Sequence, residues 1–303
     1  MTNADYVLAI DGGGTKTAAA LLSWAGDPLA SCRAGPANLY RDPLAGLMEI
    51  RRVWDVLCSQ AGLSPDTAAG RTMVSAGLAG ASGERQRQAF VEACPDFAAR
   101  RLSSDGYASY AGVFGTAPGA LLSIGTGVVA FRCAPGRKPE IRSGWGFPVS
   151  DRGSGAWLGL RLATEYLDHL DAASPWPESR LWASARTALG HDRESILLWL
   201  KQARATEFAS LAPSVVAAAG ADDPAGRALL AEGAEYLARL ARAVVAGTGG
   251  RLCLGGGLAE IYRPHLVARL DLPLLPAETR PDPLRGAWLI ATGAVAPEYD
   301  DVR

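Results

Sequence analysis

Short apolar runs that stop at glycines, and longer stretches in which apolar residues return every three or four positions, divide this chain into candidate strands and helices. Val7-Leu8-Ala9-Ile10 ends at Asp11 and a glycine cluster, the pattern of a buried strand entering a tight turn. Thr17 to Trp24 predicts the returning strand and Gly26-Asp27-Pro28 a further turn. The opening therefore reads as an antiparallel meander and not as a βαβ unit. A helix follows, capped by Asp42, with Pro43 in its first turn and Leu47, Ile50, Trp54 and Leu57 on one face before Gly62. Met73 to Gly80 is a strand ending in a glycine turn, and Ser82 to Cys94 a helix. Arg101 to Gly106 is a short strand ending on a carboxylate, and Tyr107 to Phe114 a helix.

Ala120 to Phe131 repeats the opening pattern, an apolar strand, a Gly-Thr-Gly turn and a second apolar strand. Helices are expected after Gly155 (Leu158, Leu162, Leu167, Leu170), from about Asp192, and from Pro224 behind Asp222 and Asp223, with Leu230, Leu237, Leu240 and Val244 on one stripe. Arg251 to Leu258 is a third strand ending in glycines, and Leu284 to Val295 a closing helix. Two hairpins of one design predict two domains and a cleft between them: residues 1–115, rejoined by a closing helix at 284–297, and residues 116–283 with helical insertions. Ser174-Pro175-Trp176-Pro177 is too short for a linker.

The chain's 303 residues exceed what one hydrophobic core usually supports, and a composition 49% hydrophobic and 20% charged is that of a folded protein. A net charge of −1, with no basic tail, offers no field for nucleic acid, so a small-molecule partner is expected. Five cysteines at irregular spacing, without a C-x-x-C pair, read as buried free thiols. Met1 to Tyr6 lacks a basic leader region and no run approaches the about 18 apolar residues of a membrane span, which gives a cytoplasmic expectation.

Glycines carry the chemistry, because backbone N–H groups reach phosphate oxygens only where no side chain intervenes. Each glycine turn alone is compatible with a simple tight turn. Their succession, D-G-G-G-T-K, then I-G-T-G, then L-G-G-G, is far more specific. Lys16 follows Thr15 and not a glycine, which excludes a P-loop, and no G-x-G-x-x-G opens a helix within a βαβ unit.

With those two excluded, the chain resembles the BadF/BadG family of the actin, Hsp70 and sugar-kinase superfold and, within it, N-acetylglucosamine and glucosamine kinases. The resemblance is carried by Asp11 to Thr15, Gly35-Pro-Ala-Asn38, Ala76 to Gly80, Ser104-Asp105, Ser123 to Gly127, Gly144 to Gly155 and Leu254 to Gly257. It implies an α/β, two-domain actin-like (ribonuclease H-like) fold, with mixed sheets flanked by helices. It also implies an ATP- and Mg²⁺-dependent transfer of phosphate to O6 of an amino sugar. Asp11 would hold the metal, directly or through water. Gly12, Gly13, Gly14, Thr15, Lys16, Gly125, Thr126 and Gly127 would cradle phosphates, and Gly255, Gly256 and Gly257 would pass beside adenosine.

Asp105 matches the family's catalytic base, and Asn38, Asp105, Trp145, Gly146 and Asp151 its sugar site. Plainer roles exist for each: a helix N-cap for Asp105, a turn residue for Asn38, a helix cap for Asp151 and a core anchor for Trp145. Arg152 stands where the family commonly has an acidic residue. Other classes weighed are an activator-type ATPase, which needs cysteines for an iron–sulfur cluster, and a catalytically silent sugar-binding regulator. A homodimer would be usual for relatives.

Overall fold

The computed structural model describes residues 4–40, 42–172, 179–299 and 302. Met1 to Asn3 and the Ser174 to Pro177 stretch lie outside the described residues. In chain order the elements are β1 (Tyr6–Gly12), β2 (Thr17–Ser23), β3 (Pro28–Ala34), α1 (Pro43–Ala61), α2 (Pro65–Ala69), β4 (Thr72–Leu78), α3 (Glu84–Ala93), β5 (Ala99–Ser103) and α4 (Asp105–Phe114). There follow β6 (Gly119–Ile124), β7 (Val128–Cys133), β8 (Glu140–Ile141), α5 (Gly155–Ala172), α6 (Arg180–Leu189), α7 (Arg193–Gln202), α8 (Ala205–Ala209), α9 (Ala212–Gly220) and α10 (Pro224–Val245). The chain ends with β9 (Leu252–Gly255), α11 (Ala259–Val267) and α12 (Pro283–Ala291). None of the described helices is long and apolar enough to cross a membrane. The chain divides into two compact units, Met1–Ala117 with Pro281–Arg303, and Pro118–Arg280.

In the first unit a five-stranded sheet has the order β3-β2-β1-β4-β5, with β1, β4 and β5 parallel and the β1-β2-β3 meander antiparallel. The unbroken apolar run of β1 follows from burial on both faces. Leu8 and Ile10 join Ile50, Val53, Trp54 and Leu57 of α1 on one side, while Val7 and Ala9 meet Ala287 and Ala291 of α12 on the other. Helix α1 has the predicted ends: Asp42 accepts from the Ala45 N–H at 3.0 Å, and Gly62 closes it in the left-handed conformation.

Helix α12 ends at Ala291, short of the expected 284–297, and Gly293, with φ 78°, breaks the helical path. Of the described residues beyond it, Ala296 meets α4, Tyr299 meets α3 and Val302 meets β5. Helices α4 and α12 cross at backbone distance. A Cβ on Gly286 would lie 1.8 Å from the Ala108 carbonyl oxygen, and one on Gly112 1.9 Å from that of Asp282.

The second unit has a four-stranded sheet ordered β8-β7-β6-β9, in which β6 pairs antiparallel with β7 and parallel with β9. Leu122, Ile124 and Val128 pack with Ala156, Trp157 and Leu162 of α5 and with Leu237, Ala241 and Val244 of α10. Asp192 and Asp223 cap α7 and α10. Helices α6, α8, α9 and α11 lie in segments for which the sequence pattern predicts no element. Of the five free thiols four are buried, and Cys32 is half-buried.

Gly286→Ala is expected to cost about 1–3 kcal/mol of stability by overpacking the α4–α12 crossing, read as a lower urea midpoint for the first unit. An unchanged midpoint would show that the helices separate without cost.

Candidate active site

Parallel strands β1, β4 and β5 deliver their carboxyl ends to one edge of the first sheet, where α/β proteins place ligands. Asp11 pairs with Gly77, and Gly77 with Ser103, so the three strand ends stand side by side. Gly77 lies under the start of α4: a Cβ there would be 3.6 Å from the Asp105 Cα. Asp105 is the first residue of α4, and its carboxylate accepts from the Gly106 N–H at 2.9 Å. The N-cap is Ser104, whose hydroxyl accepts from the Tyr107 N–H, which corrects the capping alternative for Asp105.

Burial pushes the Asp11 carboxyl up to about 6, helped by repulsion from Asp105 and Asp282 and opposed by Lys16. Burial likewise holds the Asp105 carboxyl above the ordinary carboxylate range. The hairpin turn between β1 and β2 is closed by the Gly13 N–H on the Lys16 carbonyl at 3.0 Å, with Thr15 and Lys16 exposed at its tip. Asn38 lies against this turn: its Nδ2 is 3.8 Å from where a Cβ on Gly14 would sit, and its Oδ1 accepts from the Tyr40 N–H at 2.9 Å. That bond is the turn role weighed for Asn38. Gly12 to Gly14, Thr15, Lys16, Asp11, Asn38 and Asp105 therefore belong to one region of the first unit.

The remaining candidates belong to the second unit. The Gly125 and Thr126 carbonyls accept from the Gly155 and Ala156 N–H groups at 2.8 and 3.1 Å, which docks the β6–β7 turn on the start of α5 and directs its carbonyls inward. Gly127 has no room for a side chain, because a Cβ would lie 2.6 Å from Asp151 Oδ2. Asp151 is only 6% exposed, adopts φ 62° and takes N–H groups of Gly146 and Val128 on its carboxylate. Its Oδ1 has no partner among the described residues, and burial raises its carboxyl. The helix-cap alternative for Asp151 is corrected, since Ser154 bonds the Trp157 N–H at the start of α5.

Trp145 is 90% exposed, which overturns the core-anchor alternative. The Arg152 guanidinium lies over the Tyr236 ring. Gly256 passes the Ile124 carbonyl, and Gly257 borders a cavity of ≈ 540 Å³ lined also by Gly125, Thr126 and Gly155 and by the apolar Ala212, Val216, Leu258 and Ile261. Such a volume suits a nucleoside-sized ligand. Sequence patterning missed these wall residues, because α9 and α11 carry no signal that separates a ligand-facing apolar residue from a core one.

A model of the BadF/BadG/BcrA/BcrD ATPase family matches residues 8–270. Over 287 residues the chain is 30% identical to the glucosamine kinase GspK of Vibrio cholerae serotype O1, covering 95% of this chain and 96% of that one. A crystal structure of a Chromobacterium violaceum protein assigned as an N-acetylglucosamine kinase matches with a TM-score of 0.84 at 30% identity, over 95% of this chain and 99% of that one. A Porphyromonas gingivalis protein with the same assignment matches at 0.71 and 19% identity, over 95% and 99%, a likeness of fold. The fold is the actin-like fold of sugar kinases.

The Asp11 carboxyl is raised on folding, so its contribution to stability is fully present below the unfolded value of 3.8 and lost as pH rises through about 6. Without nucleotide or divalent cation, Asp11→Asn is expected to melt roughly 2–4 °C above wild type at pH 7.5 and level with it near pH 4. Scanning fluorimetry across pH checks this, and a variant that melts lower at pH 7.5 contradicts the repulsion.

Proposed function

The chain belongs to the BadF/BadG/BcrA/BcrD ATPase family, and on that footing we propose that it transfers the γ-phosphoryl group of ATP to O6 of an amino sugar, glucosamine or N-acetylglucosamine. The observation that carries this reading is the placement of Asp11 and Asp105 at one sheet edge beside a glycine hairpin, two carboxyls that burial holds above the ordinary range, with Asp105 raising Asp11 further. One takes a proton and the other faces the phosphates.

Phosphoryl transfer asks mainly for in-line positioning and neutralisation of charge. The hairpin N–H groups of Gly12, Gly13 and Gly14, the Thr15 hydroxyl and the Lys16 ammonium supply donors for phosphate oxygens. Gly125, Thr126 and Gly127 do the same from the second unit. The raised Asp11 carboxyl, repelled by Asp105 and Asp282, fits a divalent cation, which would suppress that repulsion. Asp11 would hold Mg²⁺, directly or through water, and the ion would neutralise phosphate charge. Asp105 accepts the proton of the O6 hydroxyl as the bond to phosphorus forms, and its raised basicity suits that task.

Asn38, Trp145, Gly146 and Asp151 contact the sugar in this reading. The buried Asp151 Oδ1 without a partner fits a hydroxyl donor, because a site built for hydroxyls rejects analogues that lack them. Gly255, Gly256, Gly257 and the apolar cavity take adenosine. Residues 1–115 with the closing helix form the sugar and phosphate side, and 116–283 the adenosine side. A cytoplasmic enzyme acting as a homodimer completes the reading.

ADP release with Mg²⁺ATP is expected to depend on glucosamine or N-acetylglucosamine and to be weak with glucose and N-acetylmannosamine. Active, folded protein with no sugar-stimulated release would rule out the kinase. Asp105→Asn is expected to keep sugar binding by calorimetry while lowering kcat about 10²–10⁴-fold. Full turnover in that variant would remove Asp105 from the proton transfer.

A further inference from the structure

The C-terminal tail reaches back to the residue that precedes Asp105, and from that contact we propose that Glu298 is a positioning residue for the catalytic base, acting through Ser104. The inference rests on the reading of Asp105 as the acceptor-side base. Glu298 Oε2 accepts from the Ser104 N–H at 2.6 Å, and both carboxylate oxygens take the Ser104 hydroxyl, at 3.1 and 2.9 Å. With its proton committed to Glu298, that hydroxyl turns a lone pair to the Tyr107 N–H at 3.2 Å, the capping bond of α4.

One carboxylate thus fixes the N–H and the side-chain rotamer of Ser104, while the cap it completes fixes the following torsion. Ser104 sits at φ −67°, ψ 152°. The next atom along the chain is the Asp105 nitrogen. The direction of the Asp105 side chain is therefore set by a residue 194 positions from Ser104.

Glu298 is itself held in place. The Tyr107 hydroxyl donates to the Ala296 carbonyl at 2.8 Å, the Arg87 guanidinium lies 4.8 Å from the centre of the Tyr299 ring, and Arg101 donates to the carbonyl of the buried Val302 at 3.3 Å. These contacts tie the tail to α4, α3 and β5. A carboxylate at a helix N-terminus also stabilises the helix through its dipole, so a purely structural role is the competing account. The difference lies in what Glu298 grips. It holds the residue adjoining the base by two groups, and loss of that grip lets Asp105 turn without unfolding α4, which the α12 crossing still holds.

The test compares full-length wild type, Glu298→Ala and Glu298→Gln. Glu298→Ala is expected to lower kcat for amino-sugar phosphorylation about ten- to a hundredfold, as a small misplacement of a catalytic group does, with KM for ATP within about twofold of wild type. Glu298→Gln keeps an oxygen for the Ser104 N–H and restores most of the lost rate. Hydrogen exchange in ligand-free protein is expected to quicken at Gly106 and Tyr107 in Glu298→Ala, with α1 unchanged.

Full kcat in Glu298→Ala, a Gln variant as impaired as the Ala variant, or a rate that falls only with the folded fraction would each overturn the assignment. A wild type that phosphorylates no amino sugar sinks the kinase reading instead. The exchange arm then decides the positioning, and unchanged exchange at Gly106 and Tyr107 in Glu298→Ala overturns it.

Discussion

The start of α4 is pinned between two backbones, and the first unit's chemistry depends on that constraint. Gly286 and Gly112 let α12 press against α4 until carbonyl oxygens occupy the space a methyl group would need. On the sheet side Gly77 lets the same helix settle on β4, since a Cβ there would be 2.6 Å from that of Ala108. Three glycines thus bring Asp105 down to the edge where Asp11 lies near the carboxyl end of β1. With larger residues the helix would ride higher and the two carboxylates would part. Close approach of this kind cannot be adjusted continuously, because packed interiors have little free volume.

Placing these carboxylates at the sheet edge costs stability: burial raises both Asp11 and Asp105, and Asp105 raises Asp11 further. Asp151 adds a second local conflict, a buried, left-handed, non-glycine residue with one oxygen lacking a partner among the described residues. Sequences otherwise consistent across levels break local rules where a ligand completes the environment. Both conflicts sit beside glycine turns, whereas the cores around α1, α5 and α10 are apolar and well packed.

What the sequence made legible followed from short-range physics. Asp42, Pro43 and Gly62 bound α1 because caps and turns are settled within a few residues, and the runs ending at Asp11 and at Ile124 became β1 and β6. Asp105 was singled out by the family resemblance and not by the strand pattern, since β5 ends at Ser103 and Asp105 opens α4. What stayed hidden was long-range. Glu298 sits in a tail without periodicity, and only the fold brings it to Ser104. Trp145 sits between two glycines in the left-handed region, a setting that fits a core anchor or an exposed tip equally well until packing is known. The closing helix was drawn too long because apolar residues continue past Ala291, and only the conformation of Gly293 shows where it ends.

The two hairpins share a pattern yet differ in their electrostatics, and that difference assigns them different work. The first ends on Asp11, carries Lys16 at its tip and closes on itself through the Gly13 to Lys16 bond, leaving charge of both signs at its mouth. The second, Ile124 to Val128, has no charged side chain and commits its carbonyls to the N–H groups that open α5. A helix N-terminus satisfied in this way has less to offer an anion than a free one. Any phosphate donor on this side is therefore the Gly125 to Gly127 turn itself and not the start of α5, and the same turn forms a polar rim to an apolar cavity. Charged side chains thus mark the candidate region of the first unit and an apolar cavity that of the second.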